Sequence, residues 1–367
     1  GEVGVQSVPL LVTDANGNIS TCVSNVTIED NVAPVAVCQD VTVELDVLGN
    51  ATLTAAQLNN GSNDACGLAS LTLDISNLDC NDVGVQSVTL TVEDENGNTS
   101  TCTAEVTVED NTAPIAVCQN LTVELDASGM AFISVNQIDN GSFDACGIAE
   151  RGLNIASFDC GDIGPNNVLL TVEDFSGNMS ACMAMVTVVD NTAPEALCQN
   201  VTVQLDAAGM GSLSAAQVNN GSNDACGVAG VEIDRSEFSC TDVGANPVVL
   251  TVTDNSGNSS TCTATATVED NVAPQAICQD ITVALDASGN GTITAGQIDN
   301  GSNDACSILQ LSLDQTVFDC GDVGEHTVTL SVSDVNGNLS TCTATVTVED
   351  NTTPVALCED LTVQLDA

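Results

Sequence analysis

The sequence predicts an all-β chain, a tandem array of disulfide-stapled β-sandwich domains that repeats every 80 residues. Three observations predict it. Pro34, Pro114, Pro194, Pro274 and Pro354 stand 80 residues apart, each inside D-N-x-A-P or its variant D-N-T-T-P at 350–354. Cys38, Cys66, Cys80 and Cys102 follow the same ruler. They recur as Cys118, Cys146, Cys160 and Cys182, as Cys198, Cys226, Cys240 and Cys262, and as Cys278, Cys306, Cys320 and Cys342. Between these marks, apolar and polar residues alternate with a period of two, the pattern of half-buried strands.

The ruler divides the chain into complete units at 31–110, 111–190, 191–270 and 271–350. The C-terminal part of a unit precedes them at 1–30, and the first strand of another follows at 351–367. Within 31–110 the strands are read in order. Val41, Val43 and Leu45 share one face, as do Leu71, Leu73 and Ile75, then Val88, Leu90 and Val92. In 101–110, Cys102, Ala104, Val106 and Val108 lie opposite Thr101, Thr103, Glu105 and Thr107. Turn signals such as Asn96-Gly97-Asn98 break these runs, and Ala55 to Leu58 supply at most one helical turn. Strands at this density, roughly seven per ~80 to 100 residues, make an immunoglobulin-like sandwich. Leu78, Phe158, Phe238 and Phe318 occupy one register position and are core plugs.

Composition removes several functions. With 51 acidic residues against Arg151 and Arg235 the formal net charge is −49, so no nucleic acid and no anionic lipid surface is a partner, and cations are the expected small ones. The absence of Lys excludes Schiff bases, P-loop lysines and Lys-Asn isopeptide crosslinks, and a single His326 excludes a repeated His-based catalyst. Carboxylate pairs abound, but without Trp or Tyr there is no sugar platform for a glycosidase. No apolar run approaches 18 residues, so no membrane insertion is expected, and any export signal lies outside this segment. Eighteen cysteines point to an oxidising, extracellular setting. Sequons such as those at Asn25, Asn60 and Asn98 fit Ser/Thr/Asn-rich turns as well as glycan acceptors.

D-N-x-A-P-x-A-x-C, then N-D-A-C-G at Asn63 to Gly67, then D-x-N-G-N-x-S-T-C-T-A-x-V-T-V at Asp94 to Val108 resemble hyalin-repeat (HYR) domains. The likeness runs in register over the whole chain. It is similar to the long tandem arrays of Bacteroidota cell-surface adhesins, the SprB-like gliding-motility adhesins among them, and departs from the commonest hyalin repeat in lacking aromatic core residues. The resemblance implies an immunoglobulin-like fold and an adhesive or spacer role without enzymatic activity. Neighbouring repeats of the same chain would be its partners, with surface polysaccharide or other cells beyond them. A subunit that self-associates into fibres is the alternative.

Zinc wants C-x2-C pairs, and the nearest cysteine spacing here is 14, so disulfides are expected. In a sandwich of this type the first and last strands run parallel, which brings Cys38 beside Cys102. Cys66 and Cys80 bracket a hairpin-sized loop. The expected bonds are therefore 38–102 and 66–80, with 118–182, 146–160, 198–262, 226–240, 278–342 and 306–320 as their equivalents. A bond between Cys22 and Cys38 would have to span the length of a strand, about 30 Å, against the 4.4 to 6.8 Å that a disulfide tolerates.

Unit 31–110 carries thirteen acids and no base. Some belong to a solvated, self-repelling surface, but Asp46, Asp64, Asp82, Asp94 and Asp110 recur as Asp in every complete unit. The linker Glu109-Asp110-Asn111 is expected between Asp46 and Asp82 of one domain and Asp144 with the Asp174 to Asn178 turn of the next. Several full-charge oxygens at a short junction suit Ca²⁺. The linker also resembles the D-N-x-P linker of cadherins, which implies calcium between domains. One linker departs, with Val189 in place of Glu, and that junction should bind most weakly.

Overall fold

Alternation and a tight Asp-x-x-Gly-Asn turn make a long hairpin the most locally determined part of every repeat. In the computed structural model, which describes residues 3–364, β1 (Gly4–Thr13) and β2 (Ile19–Ile28) pair antiparallel in an unbroken register. Asp14 closes the turn by accepting hydrogen bonds from Asn16 and Asn18. The chain divides into two compact units, Gly1–Asp190 and Asn191–Ala367.

Residues 31–110 give the pattern that the later repeats follow. Its strands are β3 (Val41–Glu44), β4 (Asn50–Thr52), β5 (Leu68–Leu73), β6 (Asn77–Asp79), β7 (Gly84–Asp94) and β8 (Thr99–Glu109). One sheet has the order β3-β8-β7-β5 and the other pairs β4 with β6. The first strand runs parallel to the last, Val41 opposite Val106 and Val43 opposite Val108. One helical turn, α1 (Ala55–Leu58), follows β4, and the Gln57 side-chain oxygen accepts from the Thr54 backbone N–H and hydroxyl. The fold is an immunoglobulin-type sandwich with six strands rather than seven. The segment around Pro34 makes only isolated pairings, Val35 with Asn63 and Cys38 with Asn59. Proline has no N–H to give a ladder, which keeps that segment from becoming a strand.

Both sheets send alternate residues inward. Leu45, Leu53, Leu58, Leu78, Val88, Val106 and Val108 form the core of 31–110, and each fully buried aliphatic side chain contributes roughly 1.5–3 kcal/mol. Phe158, Phe238 and Phe318 stand where Leu78 does and are as deeply buried. Residues 351–364, where another first strand was expected, carry no strand, and 365–367 lie outside the described residues. In 31–110 that strand pairs with β8, Val41 lying opposite Val106.

Candidate functional site at the repeat junctions

Two turns build the far end of each repeat. Asp46 Oδ1 accepts from the backbone N–H groups of Leu48 (2.9 Å) and Asn50 (3.0 Å), holding a turn in which Gly49 has φ +75°. Asp82 Oδ2 accepts from Asp79 N–H at 2.9 Å and closes the short 3-10 turn Cys80–Asp82. Together they seat Cys80 beneath Gly49, where a Cβ would come within 2.5 Å of the Cys80 sulfur.

That seat faces the next repeat. Cys80 is bonded to Cys146, and a Cβ on Gly49 would lie 3.3 Å from Ala145 Cβ. Cys146 packs against the core of 31–110. In the second unit Cys240 is bonded to Cys306, which packs into the core of 191–270 in the same way. Within repeats, Cys38 is bonded to Cys102, Cys118 to Cys182, Cys198 to Cys262 and Cys278 to Cys342. Cys160 and Cys226 are also disulfide-bonded, while Cys66 and Cys320 are thiols.

The expected pairs 66–80, 146–160, 226–240 and 306–320 are therefore corrected. The stretch from Cys66 to Cys80 is no hairpin: β5 pairs with β7 in one sheet and β6 with β4 in the other. A strand that changes sheets does not return to its start, so the two cysteines end at opposite ends of the repeat. Cys66 lies beside the linker carboxylate Asp30, whose acceptance of the thiol hydrogen bond raises the thiol's pKa and lowers that of Asp30.

The recurring aspartates share a second property, which is that nearly all cap turns. Asp94 Oδ1 accepts from Asn96 and Asn98 N–H, and its Oδ2 accepts from the Asn98 side chain. Burial alone would raise its pKa, but these hydrogen bonds prevail and hold it below the usual carboxylate range. Asp144 Oδ1 accepts from Cys146 N–H at 2.7 Å and so orients the inter-repeat cysteine.

At the linker, Asp174 Oδ1 accepts from Ser176 and Asn178 N–H, and Asn178 Nδ2 donates to Asp174 Oδ2 (2.8 Å) and to the Asp110 carbonyl (2.9 Å). The hairpin turn thus grips the incoming linker. Asp110 is buried, and its carboxylate, that of Asp144 and the Cys146 sulfur lie within 4.8 Å of one another. Burial raises the Asp144 pKa, and the charges of Asp110 and Asp174 raise it further. The structure brings Asp110, Asp144 and Asp174 together. Asp46 and Asp82 stay in their own turns, and Asn111 donates to Glu44 and Glu109 on the exposed side of the linker.

Two latches escaped the sequence reading. Ser62 of the Asn60 sequon accepts from Val37 N–H at 2.9 Å, and Asp40 accepts from Glu105 N–H at 2.8 Å. The in-register recurrence of N-G-S signalled the first, and that of Cys-Gln-Asp/Asn, as at Cys38 to Asp40, signalled the second.

No known protein-family model matches the chain. It is 29% identical to hyalin from Strongylocentrotus purpuratus over 97% of its length, and spans 31% of that relative. Among solved structures, the protocadherin GammaB4 extracellular domain matches 94% of this chain and 71% of its own at 14% identity and a TM-score of 0.31. A Ca²⁺-stabilised adhesin of an Antarctic ice-binding bacterium covers 84% of this chain and 96% of its own, at 16% identity and a TM-score of 0.26. No helix among the described residues is long and apolar enough to cross a membrane.

Proposed function

We propose that this chain is a stretch of stalk and adhesion repeats from a long extracellular protein, carrying an adhesive or gliding-motility function outward from a cell surface. The observation that carries the reading is the bond from Cys80 to Cys146, repeated at Cys240 and Cys306. A covalent tie between successive modules, added to a bond inside each, suits a chain whose work is to hold position under load. The repeats at 31–110, 111–190, 191–270 and 271–350 are its mechanical modules, and the similarity to hyalin over nearly the whole chain supports the same reading. Disulfides at this density need an oxidising compartment. Nearly all the recurring acids are spent on turns.

Calcium at the junctions belongs to this reading. Asp110, Asp144 and Asp174 are its candidate carboxylates. Removing calcium with EGTA should lower the melting temperature, and an unchanged melt at physiological salt would remove calcium from the reading.

A self-assembling filament is the second reading, and one observation favours it. Met179, Met183 and Met185 project outward from one strand, where 31–110 has Thr99, Thr103 and Glu105. Adaptable apolar side chains of this kind favour lateral contacts. Electron microscopy of the native protein separates the two: single thin strings support a stalk, and thick ordered fibres support assembly.

A further inference from the structure

The linker aspartates are not alike. Asp30 Oδ2 accepts a hydrogen bond from the Asn96 side-chain amide at 3.2 Å, and Asp270 Oδ2 accepts one from Asn336 at 2.6 Å. The residue at the same turn position beside Asp110 is Ser176. Ser176 gives no such bond, and Asp110 Oδ2 is buried with no hydrogen-bond partner. Asp110 as a residue is 5% exposed. Its Oδ1 accepts only the local turn bond from Thr112 N–H.

Positive charge to compensate this oxygen is scarce. The chain has no Lys, Arg151 pairs with Asp139, and Arg235 pairs with Asp242. Asp174, 2% exposed, adds a further buried carboxylate at the same turn. A buried ionised group without a partner is strongly unfavourable, so the site calls for a cation. The donors on offer are carboxylate oxygens, which suit a hard divalent ion that completes its shell with water.

We propose that a divalent cation of the calcium class binds between Asp110 Oδ2 and the Asp144 carboxylate, and that the amides of Asn96 and Asn336 replace it at Asp30 and Asp270. At these three junctions cation binding is then selected by Asn96, Ser176 or Asn336 at one turn position. The inference rests on the calcium reading above and narrows it. With two carboxylates and several waters, the dissociation constant belongs in the range of about 10⁻⁴ to 10⁻³ M.

The test is calorimetric titration of the oxidised full chain with CaCl₂, comparing wild type with Ser176→Asn and Asn336→Ser. Loss of one bound Ca²⁺ in Ser176→Asn and gain of one in Asn336→Ser are the expected results. Asp110→Asn should match Ser176→Asn, and circular dichroism melts in chelator confirm that each variant is folded. If wild type binds calcium and Ser176→Asn binds equally, this site is overturned while calcium elsewhere in the array survives. If wild type binds none, both fail.

Discussion

The bond from Cys38 to Cys102 and the bond from Cys80 to Cys146 close loops of almost equal size, 64 and 66 residues, with Cα atoms 5.8 and 5.0 Å apart. Their consequences differ because of what they enclose. The first locks one sandwich upon itself, joining the segment before β3 to the last strand. The second leaves each sandwich free to fold and fixes where the next one sits. Loop length measures the entropy removed from the unfolded chain, but not which part of the protein receives the constraint.

The largest expected difference is mechanical. With both bonds intact, force passes from Cys38 directly to Cys102, and only the sixteen positions to Cys118 can stretch, about 55 Å at ~3.4 Å per residue. In Cys38→Ser/Cys102→Ser the path runs to Cys80 and back from Cys146 to Cys118, about 240 Å by the same measure. Thermal stability of that repeat should fall by about 4 kcal/mol. Cys80→Ser/Cys146→Ser should leave the stretched length unchanged and instead speed proteolysis of the linker at 110–115. Single-molecule pulling and limited proteolysis read the two outcomes.

Next comes the turn that seats the inter-repeat sulfur. Gly49→Ala puts a Cβ against Cys80 at a φ that L-residues avoid, at a cost of about 1–2 kcal/mol, and should leave free thiol at Cys80 and Cys146 in an Ellman assay. Gly84→Ala also falls at a positive φ but with nothing within 4 Å, so it should cost backbone strain and leave the bond formed.

Acid should act on the two regions with opposite sign. Asp94, held below its ordinary pKa of about 3.9, contributes stability that is present above that value and lost as pH falls through the folded-state value. Asp144 has a raised pKa, so its charged form opposes folding, and stability is gained as pH falls through that raised value. In chelator, melting curves from pH 7 downward should show the gain before the loss. Asp144→Asn should flatten the gain, and Asp94→Asn should flatten the loss.

The smallest effect is expected at the latch beside the Cys38–Cys102 bond. Asp40→Ala removes the acceptor for Glu105 N–H at a partly solvated edge, costing about 1 kcal/mol, and the disulfide should persist in non-reducing peptide maps.

Much of the fold was legible because its signals are local. Strand alternation placed Val88, Leu90, Val92 and Val106 inside, and all four are fully buried. The parallel first and last strands brought Cys38 to Cys102. The junction was less legible. Asp46, Asp82 and Asp94 recur in the sequence whether they cap turns or bind ions, and only the hydrogen bonds show that they cap turns.

Residues 4–8 and 84–88 have the same sequence, G-V-Q-S-V, and both open a hairpin in the same register, Gly4 opposite Ile28 and Gly84 opposite Val108. Val88, on the inward face of the second hairpin, is fully buried. The sequence by itself determined the hairpin, because alternation and an Asp-capped turn act within about thirty residues. Burial of Val88 needs β3, β4 and β6 to arrive from elsewhere, and the partner of Cys80 needs a second repeat to dock. Those are meetings of distant segments, set by where strands change sheets and how repeats abut, and only the tertiary structure decided them.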